Sequence, residues 1–220
     1  MKISENTIKV LKNYASINPS IYIREGSIIR TKSPSNTILS KVKVEEQFDK
    51  DFAIYDLSRF LSTLAMFQKP DIEIHDKYIN ITEENRNVKY TLHNPELIVS
   101  PRNEDPKLPG NIVSEFDIKA FELSEVMKAM NVLTMKEISI VGDGKNISIR
   151  TSDNKNDGSD VYSVEIAKTD NTFKAVITSD NLKLMSNDYN ITVADSGIVR
   201  FYNDTMDYYI ACDTNESSFS

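Results

Sequence analysis

The chain has no tryptophan, one cysteine (Cys212), two histidines (His75 and His93) and six glycines in 220 residues. A single cysteine excludes an intramolecular disulfide and any all-cysteine metal cluster. Two histidines with no cysteine nearby leave too little material for a zinc site. No apolar run approaches the roughly 18 residues that a membrane-spanning helix needs. The opening, Met1 to Asn6, lacks the apolar core of a signal peptide, so the expected location is the cytosol. There is neither GxGxxG nor GxxxxGK[ST], so no phosphate-cradling loop is expected. Asp49-Lys50-Asp51 offers two carboxylates in a turn, too few for a Mg²⁺-dependent nuclease. Asp153 to Gly158 has the outline of a calcium loop. Yet Lys155 stands where an oxygen ligand is needed and Val164 where the glutamate belongs. A hydrolase built on repeated αβ modules would need a convergent cluster of His, Asp or Glu. The sequence has none, so no catalytic residue, metal or cofactor is expected.

What is present is ordinary for a folded protein: 40% hydrophobic and 27% charged residues. Acid exceeds base, 33 to 26, for a formal charge of −7. That argues against a protein that coats nucleic acid generally, but allows a local basic patch. The excess is uneven, since residues 1–98 carry a net +1 and residues 99–220 a net −8. Between them, Pro95, Pro101, Pro106 and Pro109 hold four of the seven prolines. Proline removes a donor and restricts the residue before it, so this stretch is neither helix nor central strand. The expected organisation is a domain over 1–100, a connector over 101–112 and a domain over 113–220.

An internal repeat runs through both halves. Four segments share a short amphipathic run followed by alternating strands. The amphipathic runs are Asn6 to Asn18, Asp56 to Phe67, Glu122 to Leu133 and Ser179 to Met185. Val, Ile, Tyr and Phe recur with period two between them, and Gly142-Asp143-Gly144 or Asp195-Ser196-Gly197 mark turns. Asp56 and Ser179-Asp180 supply helix caps. Helices this short cannot stand alone and must pack on a sheet. Cys212 is expected as a small core residue.

At 100° per residue the first helix buries Ile8, Leu11, Tyr14 and Ala15 and turns Lys9, Lys12, Asn13 and Ser16 outward. The second buries Leu57, Phe60, Leu61 and Leu64 and exposes Arg59, Ser62 and Thr63. The third buries Leu123, Val126, Met127 and Met130 and exposes Lys128, with Glu122 and Glu125 diluting the pattern. The fourth places Leu182 and Met185 inward and Lys183 outward. Acid-poor helix faces in a chain of net −7 suit a duplex held by its phosphates without base reading. Lysines on a solvated helix face are the plain alternative.

The stretch Phe52-Ala53-Ile54-Tyr55-Asp56-Leu57-Ser58-Arg59-Phe60-Leu61-Ser62-Thr63-Leu64 resembles the sliding clamps of T4-type bacteriophages. So does the opening, with Thr7, Leu11-Lys12-Asn13-Tyr14-Ala15 and Ile17-Asn18. Pro101, Phe116 to Leu123, and Asn190 onward extend the resemblance over the whole length. It implies an α+β DNA-clamp fold of two similar domains, each with two short helices packed on antiparallel sheets. Three such subunits would close head to tail into a homotrimer, with twelve helices around the hole. It further implies a non-catalytic processivity factor that encircles duplex DNA. The implied partners are the phage DNA polymerase, an ATP-dependent clamp loader, and the late sigma factor with its co-activator, in the cytoplasm of the infected host.

Under that reading the DNA-facing residues are Lys9, Lys12, Asn13, Ser16, Arg59, Ser62, Thr63, Lys128 and Lys183. Weak phosphate contacts allow sliding, which base-specific contacts would oppose. Glu122 and Glu125 either turn away or make the second half of the hole less basic. The expected pocket for partner peptides combines Leu108 and Pro109 with Tyr208 and Ile210. Ring closure through edge strands is expected, with the strands unassigned. A monomeric adaptor that keeps the fold without the ring is the alternative function.

Overall fold

The first helix begins where Ser4 stops an extended segment. Its Oγ accepts the N–H of Thr7 at 3.2 Å, and α1 runs from Glu5 to Ile17. A carboxylate on a neighbouring strand, Glu46, accepts both the Ser4 N–H and the Thr7 hydroxyl. This anchor turns the buried stripe onto Thr7, Val10, Leu11, Tyr14 and Ile17, so Ile8 and Ala15 are only half-buried rather than core. Burial raises the Glu46 pKa, but the hydrogen bonds from Ser4 and Thr7 outweigh it and hold the carboxyl below its ordinary value.

The computed structural model describes residues 1–153, 158 and 160–219. Most of the Asp153 to Gly158 turn, Lys155 included, lies outside the described residues. By its internal packing the chain forms two units, Met1–Asn103 and Glu104–Ser220.

In unit 1, α1 is followed by β1 (Ile21–Ile23), β2 (Gly26–Lys32), β3 (Ile38–Phe48) and β4 (Phe52–Ile54). Then come α2 (Leu57–Leu64), β5 (Asp71–Ile74), β6 (Tyr78–Glu83) and β7 (Arg86–Thr91). All pairings are antiparallel: β1 with β4, β2 with β3, and β5-β6-β7 as a meander. Asp56 caps α2 by accepting the Arg59 N–H at 2.8 Å. The helix is shorter than the Asp56 to Phe67 periodicity predicts, because Ala65 and Met66 already close it with turns onto Leu61 and Thr63. α1 packs on β2, β3 and α2. Tyr14 is fully buried, with its hydroxyl 3.0 Å from Ser40 Oγ. Phe60 meets Tyr90 edge-on at 5.2 Å, joining α2 to β7. The proline-rich stretch, for which the sequence predicts extended chain, holds one turn of 3-10 helix, Pro95–Leu97. Asn94 caps it, and Pro95 fits its first position.

Unit 2 repeats the plan. β8 (Ile112–Ile118) leads into α3 (Ala120–Val132), then β9 (Glu137–Asp143), β10 (Asn146–Ser152), β11 (Tyr162–Lys168) and β12 (Thr172–Thr178). β13 (Tyr189–Ala194), β14 (Ile198–Tyr202), β15 (Met206–Ala211) and β16 (Ser218–Phe219) complete it. One sheet has the order β11-β10-β9-β12-β16, and a second antiparallel set runs β8-β13-β14-β15. α3 lies over β10 and β11 and buries Leu123, Val126 and Met130. Gly142 permits the close contact of β9 with β12, since a Cβ there would sit 2.4 Å from the Phe173 ring.

The expected fourth helix does not form. Ser179–Asn181 makes a single 3-10 turn, and the chain then runs irregularly to β13. The amphipathic run from Ser179 to Met185 is only seven residues long, too few to offset the cost of nucleating an α-helix. Leu182 is buried all the same, so its apolar anchor survives without the helix. The described residues therefore contain three α-helices, not four.

Candidate nucleic-acid interface

The outward stripe of α1 carries Glu5, Lys9, Lys12 and Ser16, all exposed and one turn apart. On α2 the exposed positions are Ser58, Arg59 and Ser62. The Arg59 guanidinium reaches over the Tyr90 ring at 5.9 Å. The hydroxyls expected to face DNA are otherwise engaged. Ser16 Oγ donates to Asn13 O at 2.6 Å, Ser62 Oγ to Ser58 O at 2.9 Å, and Thr63 Oγ1 to Arg59 O at 2.8 Å. Thr63 and Asn13 are also half-buried, and Asn13 has a further interaction of its own. Of the unit 1 candidates, Lys9, Lys12 and Arg59 present charge to solvent. Between the two helices lies a cleft of about 380 Å³ floored by Ile8, Leu61, Leu64 and Phe67, with Lys9 and Lys12 at its rim. That cleft is why Leu61 is half-buried where the helical pattern predicts core.

α3 is different. Lys128 is exposed as expected, but it shares its face with Glu125 and with two large apolar side chains. Phe121 is 65% exposed and Val132 72%. At 100° per residue, Phe121, Glu125, Lys128 and Val132 form one stripe opposite Leu123, Val126 and Met130. Sequence reading missed this second apolar stripe because its members stand eleven residues apart. Glu122 does not point outward as a free charge; its carboxylate accepts the Lys119 N–H at 2.8 Å and closes the helix N-terminus. Asp188 does the same for Ala120 N at 2.8 Å and pairs with Lys119 Nζ at 3.1 Å. The Ala120 and Lys119 hydrogen bonds hold the Asp188 pKa below its ordinary value. Lys183 follows the 3-10 turn, is half-buried and has an interaction partner.

The expected peptide pocket is corrected in part. Tyr208 and Ile210 are 0% exposed, with Tyr208 packed edge-on to Tyr189 at 6.2 Å. Strand β15 is buried on both faces, so neither side chain offers surface to a peptide. Leu108 is half-buried and Pro109 exposed. The segment around them is stapled down: Ser196 Oγ donates to Pro109 O at 2.8 Å, and Asn111 donates from N and Nδ2 to Asp195 at 2.8 and 2.9 Å. Tyr209 Oη sits 3.1 Å from Pro106 O and 3.2 Å from Asp207 Oδ2. Burial first, then the Asp207 charge, push the Tyr209 pKa up to about 12. Asp207 itself takes a bidentate pair from Arg200, both contacts at 2.8 Å.

The remaining candidates are structural. Asp51 accepts the Tyr22 hydroxyl at 2.6 Å and the Glu25 N–H at 2.7 Å, joining β1 to the turn before β4. His75 stacks on Tyr78 at 4.4 Å, and His93 lies 5.5 Å from Tyr55. Cys212 is buried, which raises its thiol pKa to about 12. Among the described residues no group of three His, Cys, Asp or Glu side chains is placed to hold a metal. No described helix is long and apolar enough to cross a membrane.

Two units that pack short helices on antiparallel sheets, two α-helices in the first and α3 among the described residues of the second, define the DNA-clamp class of fold. Solved structures bear this out at the level of fold. The A. fulgidus PCNA bound to the C-terminal region of FEN-1 superposes with a TM-score of 0.71 at 15% identity, over 97% of this chain and 98% of that one. The DNA polymerase III β chain of Streptococcus pneumoniae gives 0.66 at 12% identity, over 96% of this chain and 64% of that one. Residues 3–100 match the family described as DNA polymerase processivity factor, and residues 115–214 the family described as gp45 sliding clamp, C terminal. The sliding clamp of Vibrio phage KVP40 is 30% identical over 96% of this chain and 98% of its own length. That of Enterobacteria phage T4 is 27% identical over 99% of both. The chain belongs to the T4-type phage sliding-clamp family, the processivity factors of DNA polymerase.

Proposed function

We propose that three copies of the chain close head to tail into a ring around duplex DNA. The observation that carries this is a pair of open strand edges. Among the described residues, β7 ends the meander of unit 1 and β11 ends the five-stranded sheet of unit 2, each paired with a strand on one side only. The opposite edge of the meander is occupied, because Ile72 N donates to Met1 O at 2.7 Å. These edges support a heterologous contact in which β7 of one copy pairs with β11 of the next until the ring closes. Phe121 and Val132, exposed on the face of α3 turned away from β10 and β11, and Val161, 60% exposed just before β11, are apolar groups left open to a contact between copies.

In such a ring DNA is retained by topology, so weak phosphate contacts suffice and permit sliding. Excess acid elsewhere on the chain disfavours stray duplex. The clamp tethers the phage replicative polymerase. An ATP-dependent loader opens it, and the late sigma factor and its co-activator use it as a platform, in the cytoplasm of the infected bacterium. Light scattering over a concentration series tests the ring. A species of three times 25.0 kDa is expected, retained on circular DNA and released from the ends of linear DNA. A strict monomer at tens of micromolar would sink the ring and leave the adaptor reading.

A further inference from the structure

We infer that the duplex is held by the helices of unit 1 alone, through Lys9, Lys12 and Arg59, while α3, the α-helix among the described residues of unit 2, presents no phosphate-binding face. This rests on the clamp reading and sharpens it.

α1 and α2 pack directly on each other; Lys9 and Lys12 rim the cleft between them, and Arg59 stands on the side of α2 toward Tyr90 of β7. The other exposed side chains there are mostly neutral: Asn6, Ser16, Ser58 and Ser62. Two carboxylates border the surface, both at helix starts. Glu5 lies in the first turn of α1, and Asp56 is engaged with the Arg59 N–H. A polyanion crossing the middle of these helices meets positive charge and short polar groups.

The same path across α3 meets something else. Its single cation, Lys128, has Glu125 one turn before it, as Lys9 has Glu5, but no further cation accompanies it as Lys12 and Arg59 accompany Lys9. Phe121 and Val132 flank the pair on the same stripe, and a phosphate backbone offers them no apolar partner. The segment that could have supplied a second helix is a 3-10 turn with Asp180 exposed, and Lys183 beyond it is engaged. The charge distribution agrees, with a net −9 over residues 104–220. The cations that hold the phosphates therefore come from one unit of each copy, and the apolar stripe of α3 serves contacts between proteins.

The test is the salt dependence of binding to a labelled 30-base-pair duplex of arbitrary sequence, by fluorescence anisotropy. It uses the full-length chain and the variants K9A/K12A, R59A and K128A, each matched to wild type in circular dichroism and scattering mass. Removing one cation from a phosphate lowers the slope of log K against log salt by about 1. K9A/K12A is expected to lower it by about 2 or more, and R59A by about 1, with equal weakening on an unrelated duplex. K128A is expected to leave slope and affinity at the wild-type values. R59A lies on a different helix, so the assignment stays testable if K9A/K12A does not fold. A K128A slope reduced as much as that of K9A/K12A overturns the assignment and leaves the clamp reading intact, as does a wild-type slope in K9A/K12A and R59A. A wild-type chain that binds no duplex at any salt overturns the phosphate assignment, whereas the clamp reading falls only with a strict monomer or with no retention on circular DNA.

Discussion

Asn18 Nδ2 donates to the carbonyl of Val99 at 2.8 Å, a bond across 81 residues that ties the end of α1 to the last stretch of unit 1. The same amide donates to Lys32 O at 3.0 Å, and its Oδ1 accepts the Ser20 N–H at 3.0 Å and hydroxyl at 3.1 Å. Asn18 is buried and each of its polar atoms is matched. Replacing it leaves two carbonyls and a buried N–H without partners. N18A is expected to destabilise the chain by about 2–4 kcal/mol, since each orphaned group costs roughly 1–3 kcal/mol. Urea unfolding should show a lower midpoint with an unchanged m-value. A loss under about 0.5 kcal/mol would mean that water takes over these bonds.

Glu46 anchors the start of α1 by accepting from Ser4 and Thr7, which holds its pKa below the ordinary 4.5. The sign follows from linkage. A carboxyl more acidic in the folded state contributes stability above its unfolded pKa, and the contribution fades as pH falls through the folded value. Wild type is therefore expected to lose stability between pH 5 and acid more steeply than E46Q. Denaturation curves from pH 7 down to about pH 3 would check this. Parallel pH profiles for the two chains would remove Glu46 as a source of acid sensitivity.

Helices α1, α2 and α3 were legible in the sequence because each carries an apolar repeat at helical spacing, joined in α2 to the capping residue Asp56. Ser179 to Met185 had the caps and two apolar anchors but not the length, and length decides whether a turn propagates. Outward-facing cations on α1 and α2 were read correctly as exposed, since charge seeks water. Ser16 and Ser62 are exposed as read and Thr63 is half-buried, but all three hydroxyls donate to nearby backbone carbonyls, a choice made by local geometry that residue type does not reveal. Tyr208 and Ile210 failed as a pocket because period two distinguishes the faces of a strand only when one face is wet, and β15 has none. Glu46 escaped notice for the opposite reason. A glutamate in a strand of alternating charge reads as exposed until its partners, some 40 residues earlier in the chain, are known.

Phe121 and Val132 are 65% and 72% exposed on one face of α3, which makes them a clean probe of self-association. Exposed positions tolerate change within about 0.5 kcal/mol of monomer stability. F121D/V132D is expected to keep its urea midpoint but to lose the trimeric species, with the apparent association constant down at least tenfold by sedimentation. A variant that still trimerises like wild type would place the contact elsewhere. A variant with a lowered midpoint would instead show that the stripe belongs to the fold of the single chain.

Gly110 lies in the stapled segment at φ +79°, a conformation that side chains with a Cβ adopt only under strain. A Cβ there would fall 2.2 Å from Asp195 Oδ1, the atom that accepts the Asn111 N–H. Ordinarily the tip of an aspartate could swing aside. Here it is held from two directions, by the backbone N–H and the side-chain amide of Asn111, so moving it releases both bonds. G110A is thus expected to cost about 1–3 kcal/mol and to loosen the segment around Leu108 and Pro109 before the sheets unfold. Hydrogen exchange would register this as faster exchange at Asn111, with β13 and β14 protected as in wild type. D195N keeps an acceptor oxygen for the Asn111 N–H but sets an amide NH2 against Asn111 Nδ2, so it should lose that second bond and reproduce part of the effect. If G110A and wild type exchange alike at Asn111, the staple does not depend on glycine.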